Sequence, residues 1–201
     1  MNGQERRRPT REDTRAALLL AAETLVRTQG FRVSVADIAA AAGLTKGAVY
    51  SNFSGRAELL EQVAERLLPP PLDVESLAPP GLPLSEGLAA LARSLARQVD
   101  DRPQDVVLML DRLAELLRDD EMRRRAEAVS QAAGDGGAGW LGARAQDEGL
   151  ALPRSSADIA VVLDALAFGL SVTRLLRGAD AVPEELFAWT FRRVIEPAAP
   201  V

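Results

Sequence analysis

Lys46, Gly47, Tyr50 and Ser51 cluster in the stretch LTKGAVYSNF, residues 44–53. Lys46 is the only lysine among 24 basic residues, and Tyr50 is the only tyrosine. On a helix, positions four apart lie one above the other, so a compact ammonium and a phenol hydroxyl would share one face. A mobile point charge beside a hydroxyl donor suits contact with phosphate. Proton-transfer chemistry is poorly served, because the chain contains no histidine and no cysteine. That composition removes the usual acid/base group at neutral pH and the thiolate and imidazole metal ligands, so no metal site or cofactor is expected. An enzyme would have to work with carboxylates, serine or the one lysine, and no G-x-S-x-G elbow is present.

These side chains need a short helix presented by its N-terminal end. Thr45 is placed to cap it, with Leu44 and Val49 as a hydrophobic staple across the cap. Val49 and Phe53 then turn inward, leaving Lys46, Gly47, Tyr50 and Ser51 outward. Gly47 costs a helix about 1 kcal/mol relative to alanine, which is understandable if the backbone must approach another molecule closely. Gly43 can supply the positive φ of a tight turn before Leu44. Ahead of the turn, Ser34 and Asp37 have capping-box spacing, and Val35, Ile38, Ala39 and Ala42 form an apolar stripe. A longer first helix carries Leu18, Ala21, Ala22, Leu25 and Val26 and stops at Gly30. A fourth starts near Ser54 with Leu60, Val63, Ala64 and Leu67 on one side. Short helix, tight turn and short helix describe a helix-turn-helix, whose second helix enters the DNA major groove N-terminus first.

Six of the chain's 12 prolines fall in residues 69–83, a density that predicts a linker without helix. The predicted division is 1–68 for an N-terminal arm and helix-turn-helix domain, 69–83 for the linker, and 84–201 for a helical body. Within the body, helical pattern runs over 84–100, breaks at Pro103, and returns over 104–118 and on to about 132. GDGGAGW at 134–140 is expected to interrupt it. A Ser155-x-x-Asp158 box opens a helix with two apolar stripes, Ile159/Leu163/Leu166/Leu170 and Val161/Ala165/Phe168/Val172. A last helix starts at Pro183 and carries Phe187, Phe191, Val194 and Ile195. So much apolar surface predicts a homodimer through the last two helices, about 155–178 and 183–195. The fold class is all-α.

Charge is uneven. Residues 1–66 carry ten basic and eight acidic residues, whereas the remainder nets −7. Five arginines, Arg6, Arg7, Arg8, Arg11 and Arg15, gather by the first helix. A mildly basic head on an acidic body fits a localised DNA contact. The polar N-terminus lacks a signal-peptide core, and the apolar run Ile159–Val172, interrupted by Asp164, reads as too short for a bilayer. The expectation is a soluble cytoplasmic protein without a membrane partner.

Residues 15–60 resemble the DNA-binding domain of the tetracycline-repressor (TetR) family of bacterial transcriptional regulators. The matching features are the AA…L…G first helix, V-x-D-I-A-x-A-A-G-L-T-K-G-A-V-Y and the closing N-F-x-x-R-x-x-L-L. The resemblance implies that Thr45, Lys46, Gly47, Ala48, Tyr50 and Ser51 sit at or near a double-stranded DNA operator. It places Ser34 and Arg56 near phosphates, with Thr10 and Arg11 reaching toward the minor groove. Asn52 stands where the family most often has histidine, and Arg56 where it usually has lysine. The family also implies a ligand-responsive repressor that acts as a homodimer on a palindromic operator and binds a small effector in the helical body. With few aromatic residues, an apolar effector is expected, and Met109, Arg112, Trp140 and Phe168 are the candidate lining.

Two further signals are set aside. Gly134-Asp-Gly136-Gly137-Ala-Gly139 matches G-x-G-x-x-G, but it follows a helical pattern and not the strand that dinucleotide binding needs. Arg123-Arg124-Arg125 lies in an acidic body and reads as a solvated helix face. A transcriptional activator with the same head, or a dimeric helical adaptor with a degenerate helix-turn-helix, remains an alternative reading of the sequence.

Overall fold

The computed structural model describes residues 10–68 and 74–196, with the backbone alone at 128–130, 132 and 133. Arg6, Arg7 and Arg8 of the basic lead and Pro69, Pro70 and Pro71 of the predicted linker lie outside the described residues. Among these residues the chain forms helices and no strand. It divides into two compact units, one of residues 1–69 with 108–126, the other of residues 70–107 with 127–201.

The first unit opens with α1 (Arg11–Gln29), capped by Thr10 in a reciprocal box with Asp13. The Ser34–Asp37 box starts α2 (Val35–Ala41), and Thr45 starts α3 (Lys46–Asn52). The fourth helix, α4 (Arg56–Leu67), follows Gly55. Leu18, Ala22, Val26, Phe31, Ile38, Val49, Leu59, Leu60 and Val63 are at most 1% exposed and form one core. At about 1.5–3 kcal/mol for each large apolar side chain buried, this core is what holds two seven-residue helices that would be unstable alone. Gly30 is required twice over. Its φ of 77° suits glycine, and a Cβ there would meet the Asp111 carboxylate.

A four-residue helix, α5 (Val74–Leu77), forms where the proline density predicts none. The prolines flank it and leave Ala78 N–H free to donate to the Val74 carbonyl at 2.9 Å. Two longer helices follow, α6 (Leu84–Asp101) and α7 (Pro103–Leu116). The expected interruption at 134–140 does not occur. Instead α8 (Asp120–Asp147) is one 28-residue helix running through all four glycines of 134–139. Leu141 and Ala145, buried just beyond them in the second unit's core, fix the far end of the helix and offset the glycines' conformational cost.

The second unit packs α6 with α9 (Ser156–Arg177) and α10 (Glu184–Ile195). Leu84, Leu88, Ile159, Phe187, Phe191 and Ile195 lie in its core. Asp158 N–H donates to Ser155 Oγ at 3.1 Å, half of the predicted box. The two stripes of α9 separate. Ile159 is buried and Leu163, Leu166 and Leu170 pack on the core, whereas Val161 is 69% exposed. By length and composition α9 is sufficient to cross a bilayer, because the helix continues past both ends of the apolar run counted in the sequence.

Candidate nucleic-acid interface

The turn before α3 is a Schellman motif. Leu44 N–H donates to the Ala39 carbonyl at 2.8 Å and Gly43 N–H to the Ala40 carbonyl at 3.0 Å, with Gly43 at φ 67°. Thr45 Oγ1 then accepts Ala48 N–H at 3.3 Å. Val49 and Phe53 are buried, with Leu44 packed against the same core. Lys46, Gly47, Tyr50 and Ser51 are exposed on the opposite side and Ala48 is half-buried, so α3 has one committed face and one open face. Ser51 Oγ donates to the Ala48 carbonyl at 3.0 Å.

The C-terminal end of α3 is tied to α1. Arg11 donates to the Ser51 carbonyl at 3.1 Å, and Arg15 donates to the Asn52 carbonyl. Cations at these carbonyls complement the negative end of the helix dipole. Arg15 also lies 4.2 Å from the centre of the Phe53 ring and 3.5 Å from Glu58. Glu58 accepts the Ser54 N–H at 2.7 Å, and this bond holds its carboxyl below the ordinary carboxylate range. Asn52 turns inward and donates to the Ala48 carbonyl at 2.8 Å, so position 52 is off the open face.

Ser34 lies at the edge of the same surface, but its hydroxyl donates to Asp37 Oδ2 at 2.6 Å. The Ser34 side-chain and backbone bonds hold the Asp37 carboxyl below its ordinary pKa, with Lys46 adding to the effect. Arg56, expected near a phosphate, has its guanidinium engaged by the protein itself. Its Nε donates to the Val33 carbonyl at 2.9 Å, and its Nη2 donates to the Phe31 carbonyl at 2.6 Å and to Glu115 at 2.7 Å. Its Nη1 reaches Asp119 at 3.2 Å and the Met122 sulfur at 3.4 Å. All five N–H groups are engaged, so this guanidinium braces the unit and is not an open anion receptor. Arg32, Ser34, Lys46, Tyr50, Arg56 and Glu115 line a surface concavity of about 540 Å³. Arg32 carries no local motif, and sequence reasoning misses it.

The four candidate effector residues fall in different units. Met109 and Arg112 belong to the first, where Arg112 pairs with the buried Glu61 at 2.7 Å. Trp140 packs against the core of the second. Phe168 lies half-buried on the outer stripe of α9, in line with Val161.

Residues 18–63 match the family described as bacterial regulatory proteins, tetR family. The HTH-type transcriptional regulator TtgR of Pseudomonas putida is 40% identical over 57 residues, 28% of this chain and 27% of that protein. The chain thus aligns with about a quarter of the length of this curated relative. NalD, the secondary repressor of the MexAB-OprM multidrug efflux pump in Pseudomonas aeruginosa, shares the fold over 94% of this chain and 100% of its own. Its TM-score is 0.66 at 24% identity. The multidrug binding protein EbrR, solved with proflavin, covers 90% of this chain and 99% of its own at TM-score 0.64 and 22% identity. Over residues 18–63, from α1 to α4, the chain thus matches the tetR family of bacterial regulatory proteins, and over most of its length it shares the fold of NalD and EbrR.

Proposed function

We propose that this protein is a DNA-binding transcriptional regulator, acting as a ligand-responsive repressor and as a homodimer on a palindromic operator. The observation that carries this reading is α3, a short helix buried along one side and open along the other. Lys46, Gly47, Tyr50 and Ser51 occupy the open side. Lys46 binds a backbone phosphate, Tyr50 donates its hydroxyl to another, and Gly47 lets the helix sit close to the groove. Arg11 reaches from the start of α1 toward the flanking DNA.

The homodimer forms through α9 and α10, whose outer residues Val161, Leu176 and Trp189 are 69%, 78% and 57% exposed in the single chain. The effector is a small apolar molecule held in the helical body, with Trp140 as its candidate contact. Such a ligand releases DNA only by binding the DNA-free state more tightly than the DNA-bound one. The described work of NalD as a repressor and of EbrR as a multidrug binder supports this assignment. The protein acts in the cytoplasm, where its operator is.

Fluorescence anisotropy on DNA selected from a random library tests the reading. Wild type should bind the selected site well above random DNA. Lys46→Ala should weaken binding and reduce the log–log salt slope by roughly 0.9, as for one lost phosphate contact. Equal affinity for selected and random DNA at every salt concentration would sink the regulator assignment. Release of DNA by proflavin, used as the probe, would support the effector arm.

A further inference from the structure

The concavity beside α3 has an unequal lining. Arg32, Lys46 and Arg56 stand against a single acid, Glu115, and Glu115 is already paired with Arg56 at 2.7 Å. The charge left to the cleft is therefore that of Arg32, together with Lys46, whose ammonium is partly offset by the Asp37 carboxylate. Arg32 makes no side-chain hydrogen bond or ion pair with the described residues, although its neighbours Phe31 and Val33 are buried.

The backbone on either side of Arg32 is unusually well held. Phe31 N–H donates to Asp111 Oδ2 at 2.5 Å, the Phe31 carbonyl accepts from Arg56 at 2.6 Å, and the Val33 carbonyl accepts from Arg56 at 2.9 Å. A free guanidinium thus projects from a fixed strut into a cleft that also holds Lys46 and Tyr50. Fixing the base of a flexible cation lowers the ordering cost when it meets an anion. Its planar fork can take two phosphate oxygens at once, which the Lys46 ammonium cannot.

Resting on the regulator reading, we infer that Arg32 is a DNA-binding residue, seating a backbone phosphate of the operator in this cleft beside the phosphate bound by Lys46. The role of Arg56 is to position it. A contact of this kind carries no base information, so it raises affinity for every sequence alike.

Arg32→Ala, Arg32→Lys and Arg27→Ala test the assignment on the selected operator and on random DNA, each titrated with salt. Arg27 is an exposed arginine of the same unit that does not line the cleft. Arg32→Ala should lose about fivefold to tenfold in affinity on both DNAs and reduce the salt slope by roughly 0.9. Arg32→Lys should recover the slope, and Arg27→Ala should match wild type. The thermal midpoints should not move, since the side chain has no partner to lose. A wild-type slope for Arg32→Ala overturns the inference while leaving the regulator reading intact, and so does an equal loss for Arg27→Ala. If Arg32→Ala keeps full DNA affinity and abolishes binding of inorganic phosphate, the cleft is a free-anion site and the DNA assignment falls. Wild type that does not discriminate selected from random DNA overturns the regulator reading and this one with it.

Discussion

Gly47 is a residue that the protein's own packing does not require. A Cβ there would meet nothing closer than Thr45 Oγ1 at 3.6 Å, an ordinary contact, and the position is exposed on α3. Alanine should therefore suit the free protein better, raising its unfolding free energy by about 0.5–1 kcal/mol. On DNA the extra methyl would stand between helix and groove. We expect Gly47→Ala to unfold at higher denaturant concentration and to bind the operator at least tenfold more weakly, with the salt slope unchanged. A variant that gained stability and kept full affinity would mean that the backbone does not approach DNA here. The sorting of α3 into two faces is legible in the sequence because its cap, staple and outer residues all lie within one short segment. The use of Arg56 is not. Its acidic partners Glu115 and Asp119 are 59 and 63 residues away, and no local pattern announces them. Arg32 escapes for the same reason, since its setting is made by Arg56 and Asp111.

At the scale of elements, long-range polar ties decide which helices stay together. In the second unit, Arg174 of α9 is 4% exposed and donates to Asp100 of α6 at 2.9 and 2.5 Å, and also to the Val182 carbonyl ahead of α10. The hydrogen bonds from Arg174 hold the Asp100 carboxyl below its ordinary 3.8. A carboxyl whose folded pKa is depressed contributes stability above its unfolded pKa, and that contribution is lost as pH falls through the folded value. Asp100→Asn should thus cost about 1 kcal/mol at neutral pH, since solvent screens a pair whose carboxylate side chain is 45% exposed. Its thermal midpoint should also fall less than that of wild type between pH 5 and strong acid. An identical acid profile for the two proteins would remove Asp100 from the account. In the first unit, Arg56→Met leaves Glu115, which is 8% exposed, without its cation, and should destabilise by about 2–4 kcal/mol. The opposite sign is expected at α8. A Cβ at Gly136 or Gly139 meets nothing within 4 Å, so Gly136→Ala with Gly139→Ala should raise stability by about 1–2 kcal/mol in urea unfolding. Sequence alone predicts a break at these glycines because propensity is local, whereas the buried Leu141 and Ala145 that keep α8 whole act from outside the run.

For the whole molecule, the two stripes of α9 carry the argument for assembly. Their spacing alone predicts that the helix needs cover on two sides. The single chain covers the stripe of Ile159, Leu163, Leu166 and Leu170. The other stripe, Val161, Ala165, Phe168 and Val172, continues one turn on to Leu176, and its ends are 69% and 78% exposed. A second copy meeting it would bury apolar area on both sides, at about 25 cal/mol per Å². A charge on each end should oppose that without touching the core, so Val161→Glu with Leu176→Glu should leave helicity unchanged while shifting sedimentation equilibrium from dimer to monomer. Operator binding should then fall far more than tenfold. A dimer binds its second half-site intramolecularly at high effective concentration, and a monomer forfeits that gain. The two readouts have to move together. A monomer that still held the operator at wild-type strength would separate DNA recognition from assembly, and a variant that stayed dimeric would move the interface off the outer face of α9.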